Sequence, residues 1–360
     1  MAKATGQTAT SDDTRFKQRL TFTIVAVVTT VIVLLVLWFT IEVFLLLFAG
    51  ILLGVFLRGL ARLFSEKTGL TIRWSVLVVL ALLVLLGTGV WFLLASQISE
   101  QLSTLTESLP KAVANFREQI GGTEWGKWLL GQIPDGGFTL GSGSFLGSFT
   151  SFFSSTFGII ANIVFVIIIG IYLAVGPGEY RKGFLFLFPR KMRGRAGEVV
   201  DEVVQALRWW LWGQLSSMTI VGVLTAIGLT ILGIPLAFSL GILAALLAFI
   251  PNFGPIISMI PPALLALMES PSHMLYVVLL YLGVQTVESY LITPQIHKRT
   301  ISLPPVFTLI TQILFGLLFG FPGLVLATPL AVVLLVVVKM IYVEDVIGED
   351  VELPSEARQE

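Results

Sequence analysis

The 360-residue chain has no cysteine, only two histidines, and few charges: Lys, Arg, Asp and Glu make up 12% of it, while 56% is hydrophobic. Missing cysteine excludes thiol catalysis, disulfide frameworks and Cys-ligated metal sites. Soluble domains carry about 25% charged residues, so this chain could not cover a water-exposed surface. The 22 basic and 22 acidic residues cancel, so nothing in the net charge draws the chain to nucleic acid. Neither histidine, His273 or His297, lies in an HExxH or other metal spacing, and there is no Gly-x-x-x-x-Gly-Lys-Ser/Thr loop to cradle a nucleotide. No set of nucleophile and base stands out, so no catalytic residue, metal site or cofactor is assigned. What is present is apolar sequence, with a mean hydropathy of +0.93, and it indicates an integral membrane protein.

The charges are unevenly spread. Residues 21–57 hold one, Glu42, while 74–99, 151–178, 209–268 and 300–338 hold none. A helix needs about 20 apolar residues to cross the hydrocarbon layer. In lipid it must satisfy its own backbone. Crossings are predicted at 22–40, 43–57, 75–95, 151–175, 214–232, 274–293 and 323–342, with shorter apolar pieces at 237–250, 256–268 and 306–319. The predicted fold is all-α, a polytopic membrane protein of about eight transmembrane helices with interrupted or re-entrant helices in its C-terminal half. The apolar run at the N-terminus exceeds a signal peptide's core and reads as an uncleaved hairpin turning near Thr40–Val43.

Basic residues set the orientation. They gather in the leading tail, in 58–73 (Arg58, Arg62, Lys67, Arg73), in 179–208, and at Lys298, Arg299 and Lys339, whereas 97–150 carries three basic and five acidic residues. Both termini are therefore expected in the cytoplasm and 97–150 outside. Trp74, Trp91, Trp209, Trp210 and Trp212 sit at span ends, as interfacial anchors do. The expected organisation is a cytoplasmic tail (1–20), N-terminal transmembrane helices (21–95), and an extracytoplasmic amphipathic helix with a Gly/Ser loop (96–150). A transmembrane helix (151–178), a cytoplasmic basic amphipathic segment (179–213), a transmembrane core with broken helices (214–342) and an acidic cytoplasmic tail (343–360) follow. Residues 98–120 repeat apolar positions at steps of three and four, a face that either packs on its own protein or membrane or joins subunits of a homo-oligomer. In the basic segment, Arg190, Lys191, Arg193 and Arg195 can meet anionic headgroups.

Eleven of the 16 prolines fall between 235 and 329. Proline removes an amide donor and clashes with the preceding turn, so helices are interrupted there, and helix breaks in transporters expose carbonyls and amides that bind solute or ions. The strongest break is Ile250-Pro251-Asn252-Phe253-Gly254-Pro255, with Pro294 a further one. The flanking pieces suit either a hairpin re-entering from outside, tipped near Asn252, or two tilted short spans. Within the span at 274–293, Glu288 is an intramembrane acid, a functional candidate, and Gln285 and Ser289 share its helix face. It serves either proton or ion exchange or a structural role, held by a hydrogen bond or paired with Arg299 near the interface. Thr308, Thr311 and Gln312 either line the same cavity or bond across helices, the latter being favoured. Gly233-Ile234-Pro235 and Gly320-Phe321-Pro322 are similar turns between apolar pieces.

The order Trp-Gly-Gln at 212–214, Leu-Gly-Ile-Pro at 232–235, IPNFGP at 250–255, VQTVESYLITPQI at 284–296, Leu303-Pro304-Pro305 and Gly-Phe-Pro-Gly-Leu-Val-Leu-Ala-Thr-Pro-Leu at 320–330 resembles the autoinducer-2 exporter family, also called the PerM-like permease family. The family pattern usually has Tyr where this chain has Asn252-Phe253, and often a second Gln where it has Thr286. The resemblance implies a multi-pass protein of the bacterial inner (cytoplasmic) membrane, of about eight spans, assembled as a homo-oligomer. It also implies export of the signal autoinducer-2 or, in other members, sodium or lithium/proton antiport. Glu288 corresponds to the family's intramembrane Glu, and Pro251, Gly254 and Pro255 to its Pro-Gly-Pro break. Three functions follow as expectations. The first is an exporter of a small polar solute, with Glu288, Gln285, Asn252, Gln312 and Thr308 as binding candidates. The second is a cation/proton antiporter using Glu288. The third is a membrane scaffold without transport, which the dense prolines disfavour. The expected partners are the lipid bilayer, the solute or cation, and further copies of the chain.

Overall fold

The computed structural model describes residues 40–93, 156–292 and 304–349. The expected first crossing before Thr40, the 98–120 face, the Gly/Ser loop, Pro294 and the acidic tail from Asp350 onward lie outside the described residues. The chain divides into two compact units, Met1–Phe48 and Ala49–Glu360. The packed core belongs to the second. Among the described residues every regular element is helical: the protein is an all-α polytopic membrane protein. The helices are α1 (Thr40–Thr68) and α2 (Ile72–Leu93), α3 (Thr156–Val175), α4 (Pro177–Phe186), α5 (Arg193–Ile231), α6 (Ala237–Leu247), α7 (Phe253–Glu269), α8 (Pro271–Val287, prolonged by a π-type turn over Glu288–Ile292) and α9 (Pro305–Val337, prolonged over Val338–Ile347).

Some boundaries differ from the sequence expectation. Residues 40–43, expected as a turn, are helical, and α1 runs on through Arg58 and Arg62 to Thr68. The amphipathic segment and the span expected at 214–232 are one 39-residue helix, α5, about 58 Å long at 1.5 Å per residue. Arg208 is the last charge before the apolar stretch, but it does not interrupt good helix-forming sequence. Trp74 and Trp91 are exposed near the two ends of α2, at 63% and 59%, as interfacial anchors are. Trp210 is not an anchor: it is buried, its ring edge-on to Phe249 at 5.7 Å.

In lipid, helices gain little from hydrophobic transfer against one another, so close packing and hydrogen bonds hold the bundle. Small residues permit the closest approach. Gly222 on α5 faces Gly241 on α6. A Cβ at 222 would meet the Ala245 Cβ at 2.6 Å and the Gly241 carbonyl at 3.0 Å. The turn between these helices follows from Gly233, whose φ of 71° lets the Ile234 amide reach back to the Leu229 carbonyl at 3.0 Å, a Schellman closure. Leu229 and Ile234 then share an apolar cluster with Ala263, Ala266, Val277 and Tyr281, which brings the far end of α7 beside the C-terminal end of α5. At α8, Ser270 caps the helix by accepting from the His273 amide, with Pro271 at its first position.

The other end of α5 gathers ionic contacts. Arg181 on α4 donates to both carboxylate oxygens of Asp201 at 2.7 and 2.6 Å. Arg195 pairs with Glu198, Glu344 and Asp345 and donates to the Met340 carbonyl at 3.0 Å, tying the end of α9 to the start of α5. Nearby in sequence, α3 ends in a corner: Gly176 and Pro177 turn the chain by 95° into α4, and Arg58 of α1 donates to the Ala174 carbonyl at 2.7 Å.

Two facts show that α9 is folded back on itself rather than straight. Gly320 inside it has φ 64° and ψ −148°, and Gln312 Nε2 donates to Thr328 Oγ1 at 3.3 Å. Sixteen residues of straight helix would separate those side chains by about 24 Å. The Gly320-Phe321-Pro322 turn read from the sequence is therefore the tip of a hairpin with arms 305–319 and 321–337. The break at 248–252 similarly separates α6 from α7, which pack on each other. The α6–α7 hairpin has its base at the C-terminal end of α5. The returning arm of the α9 hairpin reaches the N-terminal end of α5 at Arg195. The two hairpins enter from opposite ends of α5.

Candidate functional site

Breaking a helix leaves carbonyls without donors, and in lipid each must find one. The prolines decide which. In a continuous helix the Pro251 carbonyl would receive the amide of residue 255, but that residue is Pro255 and has none. Instead the Pro251 carbonyl accepts from the Phe253 amide at 2.8 Å and from Gln312 Nε2 at 2.9 Å. The first of these closes a γ-turn centred on Asn252, whose φ and ψ are 65° and −49°, a strained conformation for a residue with a Cβ. The Ala248 carbonyl accepts from Gln214 Nε2 of α5 at 2.7 Å. In α7, Pro262 cannot donate to Ser258, and the Tyr281 hydroxyl of α8 donates to that carbonyl at 3.1 Å. Side-chain donors from neighbouring helices thus replace the missing main-chain ones.

Gln312 is the centre of this arrangement. It is fully buried. Its amide nitrogen serves both Pro251 and Thr328, while its carbonyl oxygen accepts from Asn252 Nδ2 at 3.3 Å. One side chain therefore joins the tip of the α6–α7 hairpin to both arms of the α9 hairpin. Thr308 and Thr311, also buried, turn their hydroxyls to their own helix: Thr308 to the Pro304 carbonyl at 3.4 Å, Thr311 to the Phe307 and Thr308 carbonyls at 2.8 and 2.9 Å. Gly254 packs against the Leu247 carbonyl so closely that a Cβ has no room, and the buried Pro255 presents its carbonyl to the Ser258 hydroxyl at 3.0 Å.

Glu288 forms a second cluster. It stands where α8 loosens into its π-type turn, a distortion common at functional sites. It is half-buried. One carboxylate oxygen accepts from the Ser217 hydroxyl, the other from Gln285 Nε2 at 2.8 Å. Asn252 and Gln312 are not among these partners. The two clusters meet through α5, because Gln214 and Ser217 lie one turn apart on it: the first holds the hairpin tip, the second holds the acid. The surface hollows lined by Asp201, Gln205 and Arg208 (about 200 Å³) and by Leu77, Val84 and Thr88 (about 460 Å³) contain none of these residues.

Comparison with known proteins identifies this architecture. Residues 27–342 match the AI-2E family transporter description. The chain belongs to this family. It is a multi-pass membrane transporter. It is similar to the "Putative transport protein YueF" of Bacillus subtilis (strain 168), 25% identical over 296 residues, 79% of this chain and 80% of that protein. It is also similar to the "Putative transport protein YrrI" of the same organism, 28% identical over 178 residues, 49% of this chain and 50% of that one. The "Putative transport protein YdbI" is 31% identical over 100 residues, 28% and 29% of the two chains.

In this AI-2E family transporter, the polar site residues not singled out from the sequence are Ser217, Gln214 and Thr328, the last two quoted there only within the resemblance. Gln214 and Ser217 are three apart inside the longest charge-free run, a spacing that puts both on one helix face. That was the available signal. Nothing local pointed to Thr328, whose partner lies sixteen residues away around a hairpin.

Proposed function

We propose that this transporter exports a small polar solute by alternating access at the crossing of its two opposed hairpins. The observation that carries the reading is the side-chain amide in the place of a helix donor: Gln312 and Gln214 occupy the carbonyls of Pro251 and Ala248. A solute bearing hydroxyls or amides offers the same kind of donor and can exchange with the glutamines without leaving a carbonyl bare. The described arrangement is the closed one, with Gln312 satisfied on three sides. Opening requires the hairpin entering from one end to part from the hairpin entering from the other, which is the motion alternating access needs. The basic residues at Arg58, Arg181 and Arg195 are drawn to one end of the bundle, which supports a cytoplasmic position for that end in a bacterial inner membrane. The reading is of transport, not catalysis.

A second reading, cation/proton antiport, is favoured by one observation: Glu288 is an acid inside the bundle whose carboxylate accepts from Ser217 and Gln285, side chains whose own oxygens can also ligate a small cation. Among the described residues no group of three His, Asp or Glu side chains is placed to hold a metal ion, so a cation at Glu288 would draw on hydroxyl and amide oxygens. Proteoliposomes separate the two. Efflux of a labelled small polar solute, autoinducer-2 among those tried, that needs no sodium and falls in Gln312→Leu supports the exporter. A sodium-driven pH change inside the vesicles that vanishes in Glu288→Gln supports the antiporter. Absence of both in folded, reconstituted protein overturns both.

A further inference from the structure

Where α3 ends, the chain turns through 95°. If α3 crosses the bilayer, α4 lies along its surface. One side of α4 is occupied: Arg181 binds Asp201 and the Gly197 carbonyl of α5. The other side is not. Tyr180, Phe184 and Leu187, at steps of four and three, are 45%, 48% and 79% exposed. The corner after α4 is built rather than loose, because Arg193 donates to the Phe188 and Phe186 carbonyls at 3.1 and 3.4 Å and stacks on the Phe186 ring at 4.7 Å. Residues 177–195 hold six basic side chains and one acid, Glu179. Of these, Lys182, Arg190 and Lys191 are exposed and make no ion pair among the described residues.

We infer that α4 and the corner through Met192 form a docking surface for anionic phospholipid, with Tyr180, Phe184 and Leu187 seated among the acyl chains and Lys182, Arg190 and Lys191 on the headgroup phosphates. The chemistry fits at both levels. Apolar side chains beside basic ones are the pattern of a helix lying in the interface, and the surface sits at the end of the bundle that already concentrates positive charge. A zwitterionic headgroup presents a phosphate with its own cation and satisfies such a cluster poorly. The surface is separate from the hairpin crossing and does not depend on what solute is carried.

The test uses the absence of native cysteine. A fluorophore on Gly183→Cys, where nothing lies within 4 Å of an added Cβ, reports on lipid next to α4 in the full-length protein reconstituted in vesicles. Brominated phosphatidylglycerol is expected to quench it more than brominated phosphatidylcholine at equal mole fraction, the difference shrinking with salt. Each surface charge is worth about fivefold in attraction to an anionic leaflet, so Lys182→Gln/Arg190→Gln/Lys191→Gln is expected to reduce the preference by roughly tenfold or more. The charge-preserving Lys182→Arg/Arg190→Lys/Lys191→Arg is expected to keep it, which separates loss of charge from loss of fold. Equal quenching by the two lipids, no quenching by either, or a preference that survives the triple Gln variant would overturn the proposal.

Discussion

Replacing Gln312 by Leu keeps the volume of a buried side chain and removes three hydrogen bonds at the hairpin crossing. The loss can be sized. Hydrogen bonds between helices in a membrane contribute about 0.6 kcal/mol each on average, and the two to Pro251 and Asn252 cross between the hairpins while the one to Thr328 stays within α9, so about 1.2 kcal/mol favours closure. The orphaned groups recover in part: the Pro251 carbonyl keeps the Phe253 amide, and Asn252 is exposed enough to find water. About 1.2 kcal/mol is therefore the upper end, and at 1.4 kcal/mol per factor of ten it shifts a closed–open equilibrium by up to about 7-fold. Ala248 is 2% exposed at the tip of the α6–α7 hairpin, so Ala248→Cys on the cysteine-free background reports opening through its rate of reaction with a hydrophilic thiol reagent. The rate is expected to rise by up to about 7-fold when Gln312→Leu is added, while a cysteine at exposed Gly178 reacts alike in both proteins. An unchanged rate at 248 would refute the claim that Gln312 holds the crossing shut.

Other consequences are open to measurement. On the antiport reading, Glu288→Gln is expected to abolish sodium-driven proton movement while the protein still elutes as a single species, because an amide oxygen can still accept from the Ser217 hydroxyl; Ser217→Ala is expected to lower the rate less, and a native rate in Glu288→Gln would remove the acid from the mechanism. Gly222→Leu forces a side chain into the Ala245 Cβ and the Gly241 carbonyl, and overpacking of this kind costs about 1–3 kcal/mol or more, read as a lower midpoint for heat-induced aggregation in detergent. Arg195→Gln is expected to free the end of α9, with faster proteolytic cleavage over 338–349 and little change for Arg195→Lys, since the pairs with Glu344 and Asp345 are partly exposed and individually weak. Tyr281→Phe removes the donor that replaces the missing Pro262 amide, at about 1 kcal/mol, measured by the same heating assay.

Much of the fold is legible in the chain because charge is so costly in lipid. The runs without Lys, Arg, Asp or Glu mark the apolar helices, and Gly233, Pro251–Pro255 and Gly320–Pro322 fall at the observed turns because proline and glycine act on the backbone locally. What was not legible depends on distance along the chain. Ser217 and Glu288 are 71 residues apart, and Arg195 and Asp345 150. A serine in an apolar helix carries no mark of its partner, and Trp210 looked like an anchor because a tryptophan beside an arginine is usual at an interface; only α6–α7 folding over it buries the ring. Asn252 and Gln312 were each conspicuous as polar residues in apolar sequence, but their pairing needed the opposed directions of the two hairpins, which no local pattern encodes.

The contact of Gly222 with Gly241 has a mechanical meaning. At this seam Gly222 packs on the Ala245 methyl and Gly241 on the Ala226 methyl, so no side chain there has a rotamer to change when the helices shift against each other. In the transport cycle proposed above, α6 would pivot on α5 from its base at the Gly233 turn, carrying the strained bend at Asn252 with it once the Gln214–Ala248 bond is released. Bulk added at that seam is expected to act as a brake as well as to lower stability, slowing transport while Gln214, Gln312 and Glu288 stay in place.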